Sequence, residues 1–455
     1  MKDLFSSAAA LLLGEAPEAG VIGDAHLLLG ELGYARPPGA AVNHETRHRA
    51  RLLQAASQFV RIFELTAPEA PHLVAFGAEV DPAAADALHR GSRPVGVSGI
   101  GLTMQEAFQG CVGEGIEYLS QLQRAGDELI AADGIAPAEA LDRPARELVT
   151  ALMPSRAARG LSLQVSSQVS SQLSWHRAIR LSDRREVLLP ADLCLRRPQA
   201  AQEFTPPFPL SIGSAAGTSW EAAALHGLLE LVERDAASLW WRGGRRGGAV
   251  SPDVEAGAQE LLRELRAGSP AQRRSWLLDI TTDTGIPAVA ALSCRPDGFG
   301  LAFGLSARRT LQAAARSAVL EMCQIELAHA VVEAKRRERG DAALNTKDLS
   351  HLQRATGIDA NSCALLHPVP AVAEHITIDS SDAQAARHQM VRRLGELGVE
   401  AYGLDLTRAD FAVPVARIIA PALQAEPSGI VTSRLSTMIA QTGGGEAHTG
   451  GIPLM

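Results

Sequence analysis

The stretch GSAAGTSWEAAALHGLLELVERD, residues 213–235, decides how the rest of the chain is read. A glycine-rich loop runs into hydroxyl residues and then into a long apolar segment, the order expected at a helix N-terminus. Its last part carries Glu230 and Glu233, three residues apart and so on one helix face. The same frame occurs twice more. Ser219, Ala223, His226, Glu230 and Glu233 are matched in spacing by Thr103, Ala107, Gly110, Glu114 and Glu117, and by Thr310, Ala314, Ser317, Glu321 and Gln324. Thr103-x-x-Glu106 and Thr218-x-x-Glu221 also have the form of a capping box.

A single Glu-x-x-Glu reads first as an exposed helix face rather than as a ligand pair. Three in one frame, each embedded among apolar residues (Val112 and Ile116; Leu228, Leu229, Leu231 and Val232; Val319, Leu320, Met322 and Ile325), read as acids facing a cleft. If the helices converge, Glu114, Glu117, Glu230, Glu233 and Glu321 meet with Gln324. Like charges so placed require a cation. Magnesium suits such oxygen donors, and when held by few carboxylates it keeps positions for substrate phosphates.

Outward from these segments, the chain has 455 residues, 46% apolar and 21% charged, with a net charge of −8. It can bury a sizeable core, and its charge disfavours a general binder of nucleic acid or anionic membrane. Cys111, Cys194, Cys294, Cys323 and Cys363 form no Cys-x-x-Cys motif and read as buried, reduced thiols of a cytoplasmic protein. The run Ala8 to Leu13 is too short to span a membrane and reads as a short amphipathic helix. Residues 1–42 read as an extension closed by a linker at Arg36 to Gly39. Asn43 is the expected N-cap of a helix reaching Leu65. This divides the chain into 1–54, the extension and the start of that helix, and 55–455, the main unit with a glycine-rich tail. Strands are expected at 186–190, 275–280, 286–292 and 413–420, the last preceded by Leu404 to Thr407. Strands and long helices mix without strict alternation, so the expected class is α+β. Arg242 to Gly248 reads as a solvated loop ending a helix, and Lys335 to Gly340 as a basic helix C-terminus before a glycine cap. His226 and His448 lack zinc-ligand spacing. Neither a phosphate-binding Gly-x-x-x-x-Gly-Lys-Ser/Thr nor a Gly-x-Ser-x-Gly elbow occurs.

Residues 213–235 resemble the YcaO family closely. Gly99 through Glu117, Glu321 to Gln324, Leu404 to Thr407 and Pro414 to Pro421 resemble its remaining motifs, so the likeness runs from about residue 55 to the end. The resemblance implies a fold of mixed sheets with three related helices converging on a Mg-ATP site. It implies Mg2+ ligands at Glu114, Glu117, Glu230, Glu233 and Glu321, with nucleotide contacts at His226, Arg234 and Gln324. It implies ATP-dependent activation of a backbone amide, most like the stand-alone microcin-type cyclodehydratase subunits that form azoline rings from Cys, Ser or Thr of a ribosomally made precursor peptide. Thioamide formation and a non-catalytic docking role are the alternatives. The partners implied are the precursor peptide, a separate leader-binding protein and a flavin-dependent dehydrogenase, in a homo-oligomer or hetero-complex, with no nucleic acid and no membrane. The chain departs from the family at Gly110, Tyr118 and Ile212, where the motifs have Ser, Arg and Asn. The tail carries one proline, Pro453, where many azoline-forming members have three. Its terminal residue, Met455, is the candidate for placing a carboxylate in the active site.

Overall fold

The computed structural model describes all residues except 1, 19, 38, 134, 161–171, 269–271, 371–372, 379–381, 446–448 and 455, and only the backbone at 133 and 153–160. Twelve strands among the described residues form three antiparallel sheets. The first has the order β1 (Arg61–Leu65), β2 (Val74–Val80), β3 (Val95–Gly101). In the second, β4 (Ile130–Asp133), β5 (Gln172–Arg180), β11 (Tyr402–Asp405), β12 (Val415–Ile419) and β7 (Ser214–Ala216) follow one another, with β6 (Glu186–Pro190) also paired to β5. The third runs β8 (Arg274–Asp279), β9 (Ala288–Cys294), β10 (Ala302–Ala307). The class is α+β, as expected.

Each sheet ends in one strand of the repeat. β3, β7 and β10 are terminal strands, and each leads into one of the three helices: the first, Met104–Gln121; the central, Trp220–Trp241; and the third, Leu311–Arg339. The frame fixes the helix starts. Thr103, Ser219 and Thr310 are the N-caps, accepting from the N–H groups of Glu106, Ala222 and Ala313 at 3.1, 3.1 and 3.2 Å. The expected capping boxes are not closed. Glu106 instead takes the N–H of Leu102 at 2.9 Å, and in the central helix the cap is Ser219 rather than Thr218.

Glycines on the strands let each helix lie close to its sheet. A Cβ on Gly99 would stand 2.1 Å from the Cys111 nitrogen, and one on Gly304 2.0 Å from the Ala318 carbonyl oxygen. The apolar faces then bury. Phe108, Val112 and Ile116 of the first helix pack with Phe5 and Leu12, and Phe5 stacks on Phe108 at 5.8 Å. Leu228, Val232 and Trp240 of the central helix pack with Ile418 and Leu305. Ala314, Ala318 and Met322 of the third pack with Val254 and Leu262.

Three local expectations change. The helix capped by Asn43 ends at Ala56, and Arg61–Leu65 is a strand, because its backbone pairs with β2 and the Phe63 ring lies over Gly77. Arg242 to Gly248 is built into the fold rather than solvated. Arg242 pairs with Glu426 at 3.0 Å, Arg245 donates to the Ile280 carbonyl at 3.2 Å, and Gly248 bridges β8 at Asp279. The third expected strand lies two residues later, at β9. The basic run before Gly340 does end the third helix, with Gly340 at φ 75°. All five cysteines are thiols. No described helix is long and apolar enough to cross a membrane.

Close helix–strand approach at the glycines is thus a requirement of the fold. Gly304→Ala is expected to destabilise by about 3 kcal/mol through overpacking. Gly257→Ala, in an open helical position with nothing near its Cβ, is expected to be neutral or to stabilise by up to ~1 kcal/mol. Thermal unfolding of the two variants checks the contrast.

Candidate functional site

A terminal strand leaves backbone N–H groups without a strand partner, and burying them requires acceptors. Here the acids of the helices are those acceptors. The first acid of each pair holds its own unit: Glu114 accepts from Ser98 N at 2.8 Å, Glu230 from Gly213 N at 2.9 Å and Glu321 from Leu305 N at 2.9 Å. The second residue reaches the next unit. Glu117 accepts from Ala216 N at 2.7 Å, Glu233 from Ala307 N at 3.2 Å, and Gln324 donates to Ser98 Oγ at 3.0 Å. First holds central, central holds third, and third holds first, so the ring closes. Its third link differs because Gln324 uses its amide N–H and finds a hydroxyl in place of a backbone donor.

These bonds bring the five acids together. Glu117 and Glu233 are each pushed up to about 8, first by burial, with repulsion from neighbouring acids of the cluster adding to it. Glu114 and Glu321 are also raised, again mainly by burial. Arg234 lies among them, 3.4 Å from Glu230 and 3.6 Å from Glu233. Burial works against its charge, but Glu233, Glu230 and Glu321 more than offset this and hold it protonated.

A cavity of about 980 Å³ opens on the ring. Glu117, Glu321, Gln324 and His226 line it, with Ser306, Arg308 and Arg316. His226 reaches the cavity but is kept neutral by its surroundings and by Arg308 and Arg309. Each acid commits one oxygen to a strand N–H, so the second remains for another partner. In Glu230 and Glu233 that oxygen faces Arg234. Among the described residues no three His, Cys, Asp or Glu side chains stand close enough to form a ready-made cage. A cation completed by water and phosphate oxygens fits this set, because the donors are hard carboxylate oxygens. The Ser306 hydroxyl is buried on the cavity wall with no partner among the described residues, so it is available to a ligand.

The structure thus gathers Glu114, Glu117, Glu230, Glu233, Glu321, Arg234, His226 and Gln324 at one place. Met455 and His448 lie outside the described residues. Of the departures, Gly110 lines the cavity and lies 3.5 Å from the Gly99 Cα when a Cβ is built on it. Ile212 is core, its carbonyl taken by Arg417. Tyr118 turns to a second cavity of about 780 Å³, under the guanidinium of Arg196 at 4.7 Å. Sequence reading missed Ser98, Arg308 and Arg417. Arg417 was detectable: it is the one charge in the apolar strand β12, where a buried guanidinium needs carbonyl partners, and it finds those of Leu193 and Ile212.

Comparison with known proteins follows the same lines. Residues 98–424 match the family model described as YcaO cyclodehydratase, ATP- and Mg2+-binding. An uncharacterised protein of Methanothermobacter thermautotrophicus is 28% identical over 276 residues, covering 58% of this chain and 69% of that protein. Among solved structures, a heterocyclase in complex with substrate and cofactor superposes with a TM-score of 0.67 at 22% identity, over 89% of this chain and 56% of the other. The chain therefore spans about half the length of that heterocyclase. The YcaO protein of Methanopyrus kandleri bound with AMPPCP and Mg2+ superposes with a TM-score of 0.51 at 18% identity, over 83% and 89% of the two chains.

The raised acids give a pH test. A carboxyl whose folded value lies above its unfolded one stabilises the fold while protonated. That contribution is complete below the unfolded value near 4.5 and is lost as pH rises through about 8. In chelator, Glu117→Gln is therefore expected to raise the melting temperature by a few degrees at pH 9, and by much less at pH 5. Scanning calorimetry at the two values checks it.

Proposed function

Because this chain belongs to the YcaO family, we propose that it activates a peptide backbone amide with ATP, so that a Cys, Ser or Thr side chain closes onto the preceding carbonyl as an azoline. The observation that carries this reading is the closed ring of acids and Gln324, which opens on the first cavity. Glu117 faces the first and its neighbour Tyr118 the second. The first cavity suits a nucleotide and the second a peptide.

In this reading Glu114, Glu117, Glu230, Glu233 and Glu321 hold magnesium. Mg-ATP, when bound, supplies the phosphoryl group that makes the amide oxygen a leaving group. Positioning and charge neutralisation are then what the protein must provide. Arg234 and Arg308 bring positive charge to the phosphate side of the site, and Arg316, on the cavity wall, is paired with Glu106 at 2.9 Å. His226, neutral, and Gln324 offer hydrogen bonds without adding charge. Anchoring each acid to a strand N–H keeps the site from reorganising as negative charge moves. Closure of the ring removes the side-chain proton, the amide N–H proton and the amide oxygen, which departs on the phosphate, so the peptide loses one water overall. A partner protein supplies leader recognition.

Glu230→Gln is the decisive variant, because its amide oxygen still accepts from Gly213 N–H while its charge is gone. It is expected to weaken Mg-ATP binding at least ~100-fold in calorimetry, with an unchanged circular dichroism spectrum. Nucleotide affinity equal to that of the wild type would overturn the reading. Mass spectrometry of a Cys-containing peptide incubated with the chain, its partner and Mg-ATP is expected to show loss of water; exchange of oxygen for sulfur would reassign the product as a thioamide.

A further inference from the structure

The second cavity has a wall of one kind and a charge of another. Pro206, Pro207, Phe208, Pro209 and Pro427 line it, as does Tyr118. The prolines offer no N–H and hold a rigid, apolar trough of the kind that accepts an extended chain. Three arginines also reach it, and two are matched. Arg197 lies 3.4 Å from both Asp192 and Glu203, and Arg242 lies 3.0 Å from Glu426.

Arg196 is not matched. Among the described residues no carboxylate lies within ion-pair distance of it. Its Nε donates to the Gln121 amide oxygen at 2.8 Å, and its guanidinium lies over the Tyr118 ring at 4.7 Å. The backbone fixes this pose. Arg196 N donates to the Gln121 carbonyl at 2.7 Å and its own carbonyl accepts from Gln123 N at 3.0 Å, tying the residue to the end of the first helix. Arg417 is the nearby cation, and its own guanidinium is taken up by the Leu193 and Ile212 carbonyls, so it relieves nothing. A half-buried guanidinium held in place on an aromatic ring, with its two terminal nitrogens unengaged by any described acid, is set to receive an anion.

We propose that Arg196 is a specificity-determining residue that binds a carboxylate of the peptide lying in the proline-lined cavity, close to the residue being modified. The proposal rests on the peptide reading of this cavity. The planar fork of Arg196 matches a carboxylate in two parallel hydrogen bonds, and the Tyr118 ring keeps the fork from turning away. Both a Glu or Asp side chain and a C-terminal carboxylate supply this chemistry. Because Tyr118 follows Glu117 on the first helix, a carboxylate on Arg196 seats the peptide beside the segment that carries that acid.

The test uses the full chain and three fluorescent peptides of one sequence around a central Cys. The first has Glu beside the Cys and an amidated end, the second Gln and an amidated end, and the third Gln and a free terminal carboxylate. Fluorescence anisotropy reads affinity, and Mg-ATP affinity is measured in parallel by calorimetry. The Glu peptide, the free-acid peptide or both are expected to bind the wild type about tenfold more tightly than the amidated Gln peptide, and which of them does so identifies the source of the carboxylate. In Arg196→Gln the preference is expected to fall to within ~2-fold, and in Arg196→Lys part of it is expected to survive as the simple charge without the fork. Mg-ATP affinity retained in Arg196→Gln shows that the variant is folded and that the nucleotide reading stands apart from this one. Equal binding of the three peptides by the wild type, no binding of any of them, or the same preference in Arg196→Gln would overturn the proposal.

Discussion

A carboxylate accepting from the N–H of a terminal strand is the interaction on which the rest of this structure depends. Three sheets end beside one another at β3, β7 and β10, and each end strand brings backbone donors that no further strand satisfies. An apolar side chain over any of them would leave a donor orphaned at a cost of about 1–3 kcal/mol. The helix that follows each strand supplies the acceptor. A hydroxyl acceptor would satisfy the donor without charge. The use of Glu commits the fold to collecting five carboxyl groups at the meeting point.

That commitment explains the glycines. A glutamate on a helix reaches a strand N–H 16 residues earlier, as from Glu114 to Ser98 and from Glu321 to Leu305, only if the helix axis lies unusually close to the sheet. Gly99 and Gly304 face backbone atoms at distances no Cβ tolerates. The chain therefore gives up the side-chain packing and backbone stiffness that a larger residue would contribute at these strands. It gains a site whose acids are oriented by backbone, the least mobile part of the protein. Stability and site geometry are in this respect set by the same few contacts.

Much of this was legible before the structure. The frame from hydroxyl cap to second acid is periodic and long, and the caps at Thr103, Ser219 and Thr310 fall where the frame places them. The convergence of Glu114, Glu117, Glu230, Glu233 and Glu321 followed from their number and apolar setting. What was not legible is the cyclic exchange between units. Glu117 and Ala216 are 99 residues apart, Glu233 and Ala307 are 74 apart, and Gln324 and Ser98 are 226 apart. Helix periodicity carries no information on which strand a side chain will meet at such separations. The strand at Arg61–Leu65 was hidden for a related reason: its residues continue a helical pattern, and only pairing with β2, a tertiary interaction, decides between the two. Arg196 was invisible because its meaning lies in what does not face it.

The unequal third unit is informative about charge. A glutamate at position 324 could accept from the Ser98 hydroxyl just as Gln324 donates to it, so hydrogen bonding alone does not require the amide. Charge does. The cluster already holds five acids against Arg234 within it and Arg308 at its margin, and Glu117 and Glu233 are raised to about 8. A sixth acid beside Glu321 would be protonated at neutral pH or would raise its neighbours further. Gln324 closes the ring geometrically while ending the accumulation of charge, and it does so on the side where the larger cavity opens. The ring is therefore symmetric in its fastening and asymmetric in its electrostatics. The first and central helices contribute two carboxyl groups each, where a cation has most to bind, and the third helix contributes one acid and a neutral donor.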